Sequence, residues 1–334
     1  MTVSSSTRPG PAPRAPHTSE AHTPGPAAGS PAPSLGPTAA SPNPNPDPAP
    51  APGTAAYHRL SLLAPLLRVR CGPPRRGDGW IPAADLTVRP EAVRELIAHD
   101  ARQGLARYGR PLRPDVAAGF GLHRLVWPVS LLFTAPWFLE RRVPLATPAD
   151  VALRRGRTIG ATTELTVRPG AFACLPDDPA AAAPQARTVP DEPALAAELR
   201  TALGDFLTPL LAAFRPEVRR GPRVLWAMAT DAVVEGLWYV GGLLGEQDRA
   251  RAELSALLAP GPPAAAPACA PGAPGGSAPA PTPFAPGAGF APGAAPGDDA
   301  SDPSGTDRAR ASCCLVYTVR PEAMCGGCPR VMRS

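Results

Sequence analysis

The chain has no lysine: all 33 of its basic side chains are arginine. The formal charge of +5 would otherwise suggest a polyanionic partner. No block of five or six like charges occurs, however, and the arginines alternate with acids and apolar residues, so no nucleic-acid surface is expected. Together with the excess of Ala, Pro and Gly, arginine-only usage reads as the coding bias of a G+C-rich genome. Long apolar runs are missing too. The most hydrophobic stretch, "LVWPVSLLFTAPWFL" (Leu125–Leu139), falls short of the roughly 20 residues a bilayer span needs and contains Pro128 and Pro136. It predicts a buried helix with no transmembrane segment. The opening "MTVSSSTRPGPAP" lacks the apolar core of a secretory signal, so the expected location is cytoplasmic. A phosphate-binding glycine loop is also missing. "GLLGEQ" reads as a helix break and "GAGFAPG" lies in low-complexity sequence, so neither suits a dinucleotide fold.

Proline and glycine, by contrast, are abundant, at 50 and 32 of 334 residues. They concentrate in two places. Residues 1–56 ("SPNPNPDPAPAPG" within them) and residues 259–307 ("APGAPGGSAPAPTPFAPG" within them) carry too little apolar side chain to offset the entropy of ordering. The first is expected to be a disordered N-terminal segment and the second a linker. Between them, 57–258 is long enough for one well-buried core, and 308–334 forms a C-terminal tail.

Within the central segment, leucines at three- and four-residue intervals predict a helix over Ala55–Val69, followed by a loop at "CGPPRRGDGW". "PEAVRELIAHDARQGLARYG" (Pro90–Gly109) has proline suited to a first turn. A further helix is predicted from Pro114 towards Trp127, with Pro128 kinking or ending it and the apolar Leu131–Leu139 segment in the core. "DVALRR" and "TTELTVRPGAFACL" alternate as strands and predict a small antiparallel sheet. Helical periodicity returns over Asp191–Phe214, Pro222–Leu244 and Glu246–Leu258. The fold class that follows is α+β: a mainly helical domain with a small antiparallel sheet and a four-cysteine tail.

Seven cysteines occur, and four of them sit in "SCCLVYTVRPEAMCGGCPR" (Ser312–Arg330), spaced C-C-x10-C-x2-C. In a reducing compartment, clustered thiols favour metal binding or redox chemistry over disulfides. Four thiolates suit a tetrahedral zinc or an iron–sulfur cluster. Cys325-Gly-Gly-Cys328 is a chelating turn whose glycines can adopt positive φ. Cys313 and Cys314 are consecutive, so their side chains diverge and chelate one ion poorly; a cluster with two irons accepts them more readily. Geometry therefore favours [2Fe–2S] over zinc, with a vicinal disulfide as a third reading. Cys71, Cys174 and Cys269 are isolated, and His58, His99 and His123 show no ligand spacing. The arginine groups Arg141–Arg142, Arg154–Arg155 and Arg219–Arg220 are candidate linings of a substrate cleft, since guanidinium forks suit anionic oxygens. Asp231 and Glu235, four apart on a helix, read as structural or as orienting an arginine.

Arg310, Ser312, Cys313, Cys314, Leu315 and Tyr317, followed by Cys325, Cys328, Pro329 and Arg330, give this tail a resemblance to the ferric-siderophore reductases of the FhuF-like group. "PWFLERRVP", "AFRPEVRRGPRVLWAMATD" and "EGLWYVGGLLGE" are similar to actinobacterial members. The resemblance implies that Cys313, Cys314, Cys325 and Cys328 hold a [2Fe–2S] cluster that passes one electron to an Fe(III)–siderophore. An external donor, such as a ferredoxin or a flavin-dependent reductase, would supply that electron. The alternative is a non-enzymatic protein whose tail is a zinc knuckle or an iron–sulfur sensor. The cluster is further expected to lie near a cleft in the helical domain, because one-electron transfer works only over a limited distance.

Overall fold

The first helix, α1 (Thr54–Leu63), stops where Ala64 precedes Pro65. The proline ring excludes helical backbone at the residue before it, and Ala64 is extended, at φ −98° and ψ 98°. A computed structural model describes residues 53–156, 163–259, 289–290 and 308–320. Of the segment expected to be disordered, 1–56, residues 1–52 lie outside these residues, as does most of the expected linker, while Thr54, Ala55 and Ala56 belong to α1 instead. The helix predicted over Ala55–Val69 is therefore two elements, because strand β1 (Leu67–Cys71) follows the break. Leu67 and Val69 are buried while Arg68 and Arg70 face out, a two-residue alternation that the helical reading overlooked.

Strand β2 (Trp80–Pro82) and a short α2 (Ala83–Val88) come next, within and after the predicted loop. Helix α3 (Pro90–Tyr108) begins on its proline and ends at Gly109 in the left-handed conformation, φ 68°. The central element is α4 (Pro114–Glu140), which runs unbroken through Pro128 and Pro136. Proline lacks the N–H that would bond the carbonyl four residues earlier. For Pro136 that carbonyl belongs to Leu132, and the buried Tyr57 hydroxyl of α1 donates to it at 2.9 Å. Burial pushes the Tyr57 phenol far above its ordinary range, with Cys71 and Glu140 adding to the effect, so it remains a donor.

The strands β3 (Arg142–Pro144), β4 (Val151–Arg154), β5 (Thr163–Val167), β6 (Phe172–Cys174) and β7 (Ala186–Thr188) follow. They form two small mixed sheets where a single antiparallel one was expected. One has the order β1-β5-β4-β2, with β1 parallel to β5 and the other pairs antiparallel. The other has the order β3-β6-β7, with β3 antiparallel and β7 parallel to β6. The strands that add a parallel pairing are β1 and β7, two of those the sequence pattern did not show.

Three helices complete the domain: α5 (Glu192–Val218), α6 (Pro222–Leu244) and α7 (Gln247–Leu258). The Asp191 carboxylate caps α5 by accepting the Ala194 N–H at 2.8 Å. Helix α4 is apolar on all sides and packs against α5 and α6. Phe133, Phe138, Phe206 and Phe214 are fully buried there, each contributing about 1.5–3 kcal/mol. Phe133 and Phe206 meet edge to face at 5.3 Å. Although α4 is long and apolar enough to cross a membrane, 72% of its most apolar window is buried inside the protein. Two short strands, β8 (Gly289–Phe290) and β9 (Arg308–Ala309), pair antiparallel, so two residues of the expected linker belong to a ladder with the start of the tail.

Candidate functional site

Beyond β9 the tail lies against α6, and a buried carboxylate makes the junction. Asp231, only 2% exposed, accepts the Ala311 N–H and the Ser312 N–H at 2.8 Å each, and the Ser312 hydroxyl at 2.5 Å. One helical turn on, Glu235 Oε2 stands 3.6 Å from Arg310 Nη1, and its Oε1 stands 3.5 Å from His123 Nε2 on α4. The i,i+4 spacing that marked these two acids in the sequence thus places both on the face that meets the tail.

Cys313 and Cys314 follow directly, both half-buried. The chain then turns sharply. Leu315 takes a left-handed conformation at φ 60°, rare for a leucine, and Val316–Thr318 forms a single 3₁₀ turn. Cys325 and Cys328 lie outside the described residues, as does Cys269. Among the described residues no group of three His, Cys, Asp or Glu side chains is placed to hold a metal. The donors that are described, two adjacent thiols on a docked loop, fit a cluster with two irons better than a single ion.

Cys314 also lines a cavity of about 240 Å³. Its other walls come from α3 (Asp100, Gly104, Tyr108), α4 (Gly119, Phe120, His123, Arg124), α6 (Met228, Glu235) and the tail (Arg310, Ser312, Val316). Its charges are balanced locally. Arg124 Nη1 donates to Asp100 Oδ1 at 2.9 Å and to Gln103 Oε1 at 3.0 Å. Asp100, 1% exposed, also receives Arg155, whose other nitrogen donates to the Gly121 carbonyl at 2.8 Å. Burial lowers the Arg155 pKa, against the raising influence of Asp100. A second cavity of about 330 Å³ shares His123, Arg124 and Glu235 with the first and reaches Trp127, Arg155 and Thr163.

Of the six arginines proposed from sequence, only Arg155 borders either cavity. Arg141 holds Glu253 with two bonds, at 2.9 and 2.5 Å. Arg142 holds Asp178 in the same way, at 2.8 Å twice. Arg154 pairs with Glu164 at 2.5 Å and lies over Trp80. Arg219 caps α5 at φ 55° and is exposed, while half-buried Arg220 lies near enough to Asp115 to favour its charged form. The cavity instead uses Arg124, His123, Tyr108 and Phe120, none of which was singled out as a site residue. One signal for Arg124 was available: an arginine inside a helix that is otherwise almost wholly apolar needs a buried acid to meet it.

Residues 310–330 match the family model of the FhuF 2Fe-2S C-terminal domain. No curated protein matches the chain. The tail is therefore a 2Fe–2S-binding domain, and its first residues are the ones docked on Asp231 and Glu235.

Proposed function

We propose that this FhuF-like chain, carrying the FhuF 2Fe-2S C-terminal domain at residues 310–330, is a cytoplasmic ferric-siderophore reductase. When bound, the cluster supplies one-electron redox chemistry. Cys313, Cys314, Cys325 and Cys328 are its proposed ligands. The observation that carries the reading is the position of Cys314: a residue of the domain that binds the cluster forms part of the wall of a cavity in the helical body.

The remaining roles belong to the chain's own side chains. Arg124 and Arg310 bring guanidinium groups to the cavity wall, suited to the oxygens of a ferric chelate. Tyr108 and Phe120 offer apolar ring surface for the chelator's carbon skeleton. Gaining one electron converts the substrate's Fe(III) to Fe(II), which hard-oxygen chelators hold far more weakly, so the metal dissociates. The electron comes from an external donor, a ferredoxin or a flavin-dependent reductase.

The test is anoxic. Purified protein is reduced and then mixed with several Fe(III)–siderophores while the cluster absorbance is followed. Reoxidation together with Fe(II) formation is expected, and Cys314→Ser is expected to lose both the colour and the turnover. A coloured protein that no ferric chelate reoxidises would favour a sensor instead. Oxygen-protected material without iron or acid-labile sulfide, and refractory to reconstitution, would overturn the cluster assignment as well.

A further inference from the structure

An ionised carboxylate at 2% exposure is costly unless charge-assisted hydrogen bonds meet it. Asp231 sits mid-helix, between buried Thr230 and Ala232. Among the described residues, every hydrogen bond its carboxylate accepts comes from the tail: the Ala311 amide, the Ser312 amide and the Ser312 hydroxyl. Among the described residues, the ion-pair approach to it, Arg310 Nε at 4.0 Å, is also from the tail. Without the tail, then, the Asp231 carboxylate would lose all three of those donors. Ser312, 6% exposed, immediately precedes Cys313, so the clamp ends one residue before the first proposed ligand.

We infer that Asp231 is the positioning residue of the cluster-bearing tail: its two carboxylate oxygens bind the Ala311–Ser312 turn, fix Cys313 and the cavity-lining Cys314 that follow it, and keep a negative charge beside the cluster. The inference rests on the cluster-binding reading of the tail, but not on the identity of the ferric substrate. Two consequences are separable. Mechanically, the three bonds hold the turn closed. Electrostatically, the carboxylate favours the oxidised, less negative cluster and so lowers its potential.

The experiment uses the full-length, cluster-loaded protein without siderophore. Amide hydrogen exchange at residues 311 and 312 is compared in wild type, Asp231→Ala, Asp231→Asn and Ser312→Ala, and the cluster midpoint potential is measured in each. Hydrogen bonds to a charged group contribute about 1.5–3 kcal/mol each, so Asp231→Ala should speed exchange at both amides by at least about tenfold. Ser312→Ala, which removes one bond of the three from the tail side and leaves the helical core untouched, should give a smaller acceleration. Asp231→Asn keeps the shape but not the charge and should raise the potential, by about 59 mV if the reduction equilibrium moves tenfold. Unchanged protection in a folded Asp231→Ala protein would overturn the clamp. If that variant does not fold, unchanged exchange in Ser312→Ala together with an unshifted potential in Asp231→Asn would do the same. Should wild-type protein show the protected amides and yet reduce no ferric chelate, the proposed function fails and the clamp stands.

Discussion

Arginine's planar fork lets one side chain take both oxygens of a carboxylate, and in a chain without lysine this geometry recurs: Arg142 on Asp178, Arg141 on Glu253, Arg113 on Asp115. The pair between Arg142 and Asp178 has a consequence for acid stability. Burial alone would raise the Asp178 pKa, but the Arg142 bonds and the Ala180 amide outweigh it and hold the carboxyl below its usual range. A depressed folded-state pKa means that this contribution is fully present above the unfolded value of about 4 and is lost as pH falls through the folded one. Denaturant unfolding of wild type and Asp178→Asn between about pH 6 and about pH 2 should show a stability gap that closes below about pH 4. A gap of constant size would mean the pair carries no such linkage. The same pairing habit occupies several of the arginines that the sequence offered as cleft linings. A guanidinium in sequence shows its charge but not its place: Arg141, Arg142 and Arg154 hold Glu253, Asp178 and Glu164 and border neither cavity.

Among the helices, α6 and α7 fold against each other at a double glycine. A Cβ added at Gly241 would stand 2.5 Å from the Ala250 Cβ and 3.3 Å from the Glu246 carbonyl, so this side-chain-free position sets how closely α7 can return. Gly241→Ala should destabilise the protein by about 1–3 kcal/mol, read as a lower denaturant midpoint, because neither contact can swing away. An unchanged midpoint would show that α7 shifts freely. Most helices were legible in advance because their punctuation is local: Pro90 and Gly109 bracket α3, Asp191 opens α5 and Gly245 closes α6. The elements that escaped are those whose identity depends on distant neighbours. Strand β1 earns its place by pairing with β5 almost a hundred residues later, and its two apolar side chains also satisfy the helical period of α1 just before it. Strand β7, three residues long and outside any longer alternating run, carries too short a pattern to register.

At the scale of the whole molecule, chemistry and core belong to different parts of the sequence. All four proposed ligands lie in the tail, while the fully buried side chains of α4, α5 and α6 lie far upstream. Stripping iron with an oxidant and a chelator should therefore abolish the visible chromophore while leaving the far-ultraviolet circular dichroism of the helices nearly intact. Collapse of the helical signal along with the colour would show that the cluster holds up the core. The same separation explains what the sequence revealed of the site. Cysteine spacing is a local signal and was read directly, whereas the cavity wall assembles from α3, α4, α6 and the tail, and only the fold brings Tyr108, Arg124 and Arg310 together. One contact across the core binds two distant positions into a single inheritance. The Tyr57 hydroxyl supplies the donor that Pro136 takes away from the Leu132 carbonyl, so a descendant that regains an amide at 136 has no further use for the hydroxyl. Phenylalanine at 57 and a non-proline at 136 should thus arise as companions in related chains, each tolerable chiefly in the presence of the other.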